Sequence, residues 1–126
     1  MSMTVTITQW IVRITGVLLL ILGLLIWAEN MNNLIGIHTL LGVIMVLSLW
    51  LLAASAATQG LPMGMAITAG VIGLLTALLG FTQRGLLPDP STHWIIQLAH
   101  LLLGILAVGT GEMIGGRMRR ARLATA

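Results

Sequence analysis

The chain of 126 residues is dominated by apolar side chains: 58% of its residues are hydrophobic, 7% are charged, and its mean hydropathy is +1.07. A soluble domain of this length with this composition would expose large apolar patches, so the composition excludes soluble classes and predicts an integral membrane protein. The absence of cysteine excludes disulfides, thiolate metal sites and thioether-linked haem. The net charge of +3 comes from arginine.

Four apolar segments are each long enough to cross the hydrocarbon core of a bilayer. The first is followed by three more and by no cleavage site, which distinguishes it from a signal peptide. Pro62 suits the first turn of the third segment, and Gly115 and Gly116 are expected to end the fourth. The predicted spans are about 8–28, 34–54, 62–81 and 93–115.

The connections between these spans are short, at residues 29–33, 55–61 and 82–91. Short connections place consecutive helices side by side and antiparallel. We therefore predict an all-α, up-down-up-down four-helix bundle that forms a single transmembrane domain over residues 1–126, with a basic C-terminal tail at 117–126.

Arginines are distributed unevenly between the two ends of this bundle. Arg13 lies in the first half of the first span and four arginines follow the last span, whereas Arg84 is the one arginine expected at the opposite end, together with Glu29 and Asp89. The positive-inside rule then places both termini in the cytoplasm. A bacterial inner membrane is the expected location, with the histidines in the outer half of the bilayer.

A weak internal repeat relates the two halves of the chain. The segment 16–23 in the first span resembles the segment 73–80 in the third, an offset of 57 residues, and His38 and His100 are 62 residues apart. Two hairpins of the same sense would be related by a pseudo-twofold axis along the membrane normal, with spans two and four facing each other. This predicts a duplicated helical hairpin, although leucine- and glycine-rich spans also align by chance.

Two similar motifs carry these histidines: Gly-Ile-His38-Thr-Leu-Leu-Gly42 and Leu-Ala-His100-Leu-Leu-Leu-Gly104. In each, a glycine follows the histidine by four residues and therefore lies one turn away on the same helix face. An ionisable side chain within a membrane span indicates a functional site. Two facing imidazoles can ligate the iron of a b-type haem, so His38 and His100 are the predicted metal ligands. The glycines would leave room for the macrocycle. The alternatives are an interhelical hydrogen bond for the histidines and close helix packing for the glycines.

His93 lies two turns before His100 on the same face and near the membrane surface. It is either an interfacial residue beside Trp94, a partner of a haem propionate with further donors from Arg84, Gln97 or the asparagines at 30–33, or an alternative ligand to His100. Glu112, the one acid within a predicted span, is interpreted as an interfacial residue that faces water or pairs with an arginine such as Arg117.

With four spans and the motifs around His38 and His100, the chain resembles the small four-helix membrane cytochromes b, the cytochrome b561-like group. The resemblance implies haem held by histidines on separate helices. Members of that group usually have more histidines and often two haems, whereas this sequence offers one pair, in one half of the bilayer. Transmembrane electron transfer by this chain alone is therefore not implied.

These observations predict a membrane cytochrome with one bis-histidine haem b that serves as an electron-transfer or anchor subunit. The expected partners are the lipid bilayer and other membrane or redox subunits or further copies of the chain. An independent enzyme is not indicated, and the basic tail fits anionic lipid rather than nucleic acid. The alternative is a structural subunit of a larger membrane complex, either free of cofactor or binding a pigment such as chlorophyll through a histidine.

Overall fold

The computed structural model describes residues 2–125, which contain helices and no strand. Four of these helices are long and apolar enough to cross a membrane, which confirms the predicted number of helices. They are α1 (Met3–Glu29), α2 (Ile35–Thr58), α3 (Met63–Thr82) and α4 (His93–Thr125), with short 3-10 turns at Asn32–Leu34 and Gln83–Gly85.

Consecutive helices run antiparallel, and α4 returns to pack against α1. Along the α1–α2 contact, Gly23 lies near His38 and Leu19 lies near Gly42, so that rising numbers on one helix meet falling numbers on the other. Helices α2 and α4 also pack against each other, across the bundle diagonal. They run parallel there, because α2 meets α4 first at His38 and His100 and then at Leu49 and Gly111.

The tightly packed core lies in one half of the bundle, toward the end that holds both termini and the turn at residues 59–62. We call this the termini end, and the end that holds residues 30–34 and 83–92 the loop end. The largest fully buried side chains of the core are Leu49, Leu52, Ile114, Val5 and Val12. Large apolar side chains are exposed along the outside of all four helices, which suits contact with lipid.

Helix α4 does not end at Gly115, where the fourth span was predicted to end. Each glycine in a helix interior costs about 1 kcal/mol relative to alanine, which is why the pair indicated an end. In the structure the helix continues through both glycines, because the amide of Gln9 packs where a Cβ on Gly115 would lie, and the arginines that follow are good helix formers. The predicted tail is therefore helical as far as Thr125, and residue 126 lies outside the described residues.

The other helix boundaries differ by a few residues from the prediction. Helix α1 begins at Met3 because the Ser2 hydroxyl caps it by accepting a hydrogen bond from the Val5 N–H at 3.3 Å. Helix α2 continues to Thr58, which shortens the predicted turn at 55–61. The chain reverses at Gly60, whose φ of +82° lies in the left-handed region that glycine adopts without strain.

A compact turn at Asp89 precedes α4. The Ser91 backbone N–H and hydroxyl donate to the Asp89 carboxylate at 2.9 and 2.8 Å, and these bonds lower the pKa of Asp89 below its usual value. The Asp89 carbonyl accepts the backbone N–H of His93 at 2.9 Å. The turn thus sets where α4 begins and places His93 at its first position.

Candidate functional site

The imidazole rings of His38 and His100 face each other across the bundle. Their centroids are 6.2 Å apart, and the ring planes are inclined by 57°. The two side chains meet because α2 and α4 are parallel neighbours on the diagonal and each carries its histidine near the loop end. The structure therefore brings together the two histidines that the sequence motifs singled out.

A glycine on a neighbouring helix stands behind each ring. A Cβ on Gly23 of α1 would lie 3.2 Å from Cε1 of His38, and a Cβ on Gly80 of α3 would lie 3.0 Å from Cε1 of His100. Both distances are shorter than an ordinary carbon–carbon contact of about 3.5–4.0 Å. Glycine at these two positions therefore allows each ring to approach its neighbouring helix.

The glycines that the motifs proposed, Gly42 and Gly104, do not contact the rings. The nearest atom to a Cβ on Gly42 would be Leu19 Cδ2 at 3.9 Å, and no atom lies within 4 Å of the corresponding point on Gly104. Both glycines instead line a cavity next to the histidines. The signal that identifies Gly23 and Gly80 in the sequence is the internal repeat, since they are the last residues of its two segments.

The two imidazoles line this cavity, which has a volume of about 730 Å³. Small-molecule and cofactor sites have volumes of roughly 300–1,000 Å³. Its walls come from all four helices. Several wall residues in the first half of the chain have a counterpart in the second half that also lines the cavity. The offset between counterparts is 57 residues from α1 to α3 and the turn after it, and 62 residues from α2 to α4. The pairs include Leu19 and Thr76, Gly23 and Gly80, Trp27 and Arg84, Ile35 and Gln97, Gly42 and Gly104, and Val46 and Val108.

Polar side chains collect at the loop end of the same cavity. They are Asn30, Asn32, Gln83, Arg84, His93 and Gln97. His93 Nδ1 lies 3.1 Å from the Leu86 carbonyl oxygen and 3.2 Å from that of Leu87. Because carbonyl oxygens only accept hydrogen bonds, Nδ1 carries the proton, and in the neutral ring Nε2 remains an acceptor. The predicted group of His93, Arg84 and Gln97 thus lines the same cavity as the two facing histidines.

The ring nitrogens of the facing pair are poorly satisfied by the protein. Nδ1 of His38 and Nδ1 of His100 are buried and have no hydrogen-bond partner within the described chain. No group of three or more histidine, aspartate or glutamate side chains that could hold a metal ion occurs within residues 2–125. A metal ion here would therefore take two imidazoles from the protein and its remaining ligands from another molecule.

A second polar cluster lies toward the termini end, between α1 and α4. The Arg13 guanidinium donates two hydrogen bonds to Glu112, from Nε to Oε1 at 2.5 Å and from Nη2 to Oε2 at 2.8 Å. The partner of Glu112 is thus Arg13 rather than the Arg117 considered from the sequence. Arg117 instead extends toward α3, with Nη1 3.5 Å from Met65 Sδ. Residues so far apart in the sequence gave no local signal of this pairing.

Comparison with known protein families, with curated proteins and with solved structures found no match to this chain.

Proposed function

We propose that this chain is a b-type membrane cytochrome that holds one haem b between His38 and His100 and acts as an electron-transfer or anchor subunit. The observation that carries the proposal is the pair of imidazoles that face each other across a cavity, one from each of two parallel helices. When bound, haem supplies one-electron redox chemistry. The residues of the chain hold it, orient it and exclude water.

The separation of the two rings is compatible with a metal ion between them. A bond from a metal ion to an imidazole nitrogen is about 2 Å long, and the ring centre lies roughly 1 Å further on, so two such ligands place their centroids roughly 6 Å apart. The observed separation is 6.2 Å. The buried Nδ1 atoms of His38 and His100 have no hydrogen-bond partner within the described chain, so no protein bond commits either ring to one tautomer, and Nε2 can serve as the donor that haem iron takes from histidine.

The cavity supports a planar apolar ligand with a polar edge. Apolar side chains and glycines form most of its wall, and Gly104 leaves open space where any other residue would place a Cβ. Haem carries two propionates; Arg84 and Gln97 are donors at the loop end of the cavity, and His93 would donate from Nε2 as an imidazolium. We assign these three residues to propionate binding and the glycines to making room for the macrocycle.

The proposal includes an orientation and a partner. With both termini in the cytoplasm of a bacterial inner membrane, haem would lie in the outer half of the bilayer, because His38 and His100 lie toward the loop end. One haem does not bridge the bilayer, so another redox subunit or a further copy of the chain would carry electrons onward. The matching contacts of Gly23 with His38 and of Gly80 with His100 support a duplicated hairpin as the origin of the site.

The experiment that tests the proposal is absorption spectroscopy of the full chain, purified in detergent from cells supplied with haem. We expect a low-spin b-type spectrum with sharp bands after reduction, and about one haem per chain by pyridine haemochrome, as expected for two strong-field nitrogen ligands. A folded, colourless preparation that does not take up added haem would contradict the proposal and favour the alternative, a structural subunit without cofactor. A chlorophyll spectrum from a pigment-containing host would support the pigment-binding alternative.

A further inference from the structure

The two long edges of the bundle differ in a way that the internal repeat reveals. Under the offsets of 57 and 62 residues, the polar cluster between α1 and α4 corresponds to apolar or small residues between α2 and α3. Arg13 corresponds to Gly70, Gln9 to Ala66, Glu112 to Trp50 and Arg119 to Ala57. Those four residues, Trp50, Ala57, Ala66 and Gly70, line a shallow groove at the α2–α3 edge. That edge is formed without charges, so the fold itself does not require the charged cluster at the other edge.

The cluster between α1 and α4 is held in one arrangement. Gln9, only 2% exposed, donates from Nε2 to Glu112 Oε2 at 3.3 Å and accepts a hydrogen bond from Arg119 Nη1 at 2.8 Å. Trp10 lies under the Arg13 guanidinium, with 4.8 Å from Arg13 Cζ to the ring centroid. The side chains linked by hydrogen bonds are those of Gln9, Arg13, Glu112 and Arg119, which include two guanidinium groups and one carboxylate. The cluster therefore has one positive charge that no acidic residue within it balances.

The outer side of the cluster is open to the surroundings of the bundle. The side chains of Arg13 and Glu112 are 32% and 36% exposed, although both belong to apolar helices. Arg119 is exposed and has guanidinium nitrogens besides the one that bonds Gln9. The cluster also lies near the termini end, since Arg117, two residues before Arg119, reaches Met65 in the first turn of α3. This is the level at which lipid headgroups would meet the bundle.

We propose that this edge of α1 and α4 binds the phosphate of a negatively charged phospholipid. One phosphate carrying one negative charge would balance the charge of the cluster, and guanidinium groups bind phosphate oxygens through paired hydrogen bonds. Trp10 is half exposed beside the site, and an indole ring is favourable at the headgroup level of a membrane. The site is separate from the histidine cavity and does not depend on the proposed haem.

The neighbouring surface identifies the ligand as a lipid rather than free phosphate. Ile14 and Ile21 are more than half exposed on α1, on the loop-end side of Arg13. An acyl chain attached to the bound phosphate would therefore lie along an apolar helix face. Free phosphate would make no contact with that face, whereas the acyl chain of a phospholipid would pack against it through van der Waals contacts.

The test is native mass spectrometry of the full chain released from bilayers that contain equal amounts of phosphatidylglycerol and phosphatidylcholine. We expect phosphatidylglycerol to be retained in preference. Arg119→Gln should reduce that preference about fivefold, because it removes a guanidinium that would hydrogen-bond the phosphate directly. Arg117→Gln is the matched control, because it removes the same charge from the same helix end, but the Arg117 guanidinium extends toward Met65 of α3. It should change the preference less than about twofold.

Three outcomes would overturn the proposal. The first is the absence of any preference for phosphatidylglycerol, and the second is an equal loss in both variants, which would show general attraction to the basic helix end. The third is that inorganic phosphate, added to the protein in phosphatidylcholine alone, raises the unfolding temperature as much as phosphatidylglycerol does, which would show a free-phosphate site. If Arg119→Gln does not fold, Arg119→Lys replaces it, and Arg117→Lys replaces its control. Lysine keeps the charge but not the forked donor, so only the former should weaken the preference.

Discussion

The three histidines differ in what surrounds their ring nitrogens. His93 donates from Nδ1 to the loop carbonyls of Leu86 and Leu87, whereas the buried Nδ1 atoms of His38 and His100 have no partner within the described chain. A buried polar group without a hydrogen bond costs roughly 1–3 kcal/mol. This cost falls on His38 and His100 and not on His93, which separates the facing pair from the third histidine.

Alanine substitutions should separate these roles. We expect His38→Ala and His100→Ala each to abolish the low-spin spectrum, because the surrounding apolar side chains offer no replacement donor. His93→Ala, the matched control, should keep a low-spin spectrum and shift only the reduction potential, since it lies at the cavity mouth. Loss of haem in His93→Ala together with its retention in His100→Ala would assign the ligand to His93. Unchanged spectra in all three variants would exclude histidine ligation.

Gly80 should be more sensitive to substitution than Gly70 on the same helix. A Cβ on Gly80 would lie 3.0 Å from Cε1 of His100, whereas nothing lies within 4 Å of a Cβ on Gly70. We expect Gly70→Ala to stabilise the protein by about 0.5–1 kcal/mol in thermal unfolding, through reduced backbone entropy of the unfolded chain. Gly80→Ala should weaken haem binding by about 1 kcal/mol or more, because the imidazole must move. Equal haem affinity in both variants would show that Gly80 does not position the ring.

At the scale of the helices, the contact between α1 and α4 combines a glycine with an ion pair. Gln9 occupies the space that a side chain on Gly115 would need, and Arg13 binds Glu112 one turn further along α1. Because glycine lets the two backbones approach, the short polar side chain of Gln9 reaches both Glu112 and Arg119. Helix α4 continues past Gly115 at the position of this contact.

A double-mutant cycle measures the coupling of Arg13 and Glu112. We expect Arg13→Gln and Glu112→Gln each to destabilise the protein by about 1–2 kcal/mol in detergent, because each leaves a charged partner without its two hydrogen bonds. The double variant should lose less than the sum of the two, since no unpaired charge remains. Partial exposure of both side chains keeps these values below those of a fully buried pair. Additive losses would show that the two residues act independently.

For the whole molecule, the distribution of charge along the bundle predicts its orientation. Arg13, Arg117, Arg119, Arg120 and Arg122 lie toward the termini end with Glu112, whereas Arg84 lies toward the loop end with Glu29 and Asp89. Reporter fusions should therefore place both termini and residue 60 in the cytoplasm and residue 88 outside. Fusions that place the C-terminus outside would put the histidine cavity in the cytoplasmic half of the membrane and reverse the side from which electrons arrive.

The sequence by itself determined the number of helices, their order and the residues of greatest interest. Apolar runs of about 20 residues between short polar connections leave few alternatives to four helices, because backbone groups in a membrane must be satisfied within each segment. His38 and His100 were identifiable since ionisable residues are rare in such runs. Helix ends were less predictable: α4 passes through Gly115 because a contact with α1 outweighs the low helix propensity of glycine.

Only the tertiary structure decided which residues meet. The distance of 6.2 Å between His38 and His100, the placement of Gly23 and Gly80 behind the rings, and the pairing of Arg13 with Glu112 all join different helices. Such contacts depend on how each helix is rotated about its axis. The sequence constrains that rotation weakly, because nearly every face of these helices is apolar and no periodic polar stripe marks the side that faces lipid. Close packing of glycines against specific side chains sets the rotation instead.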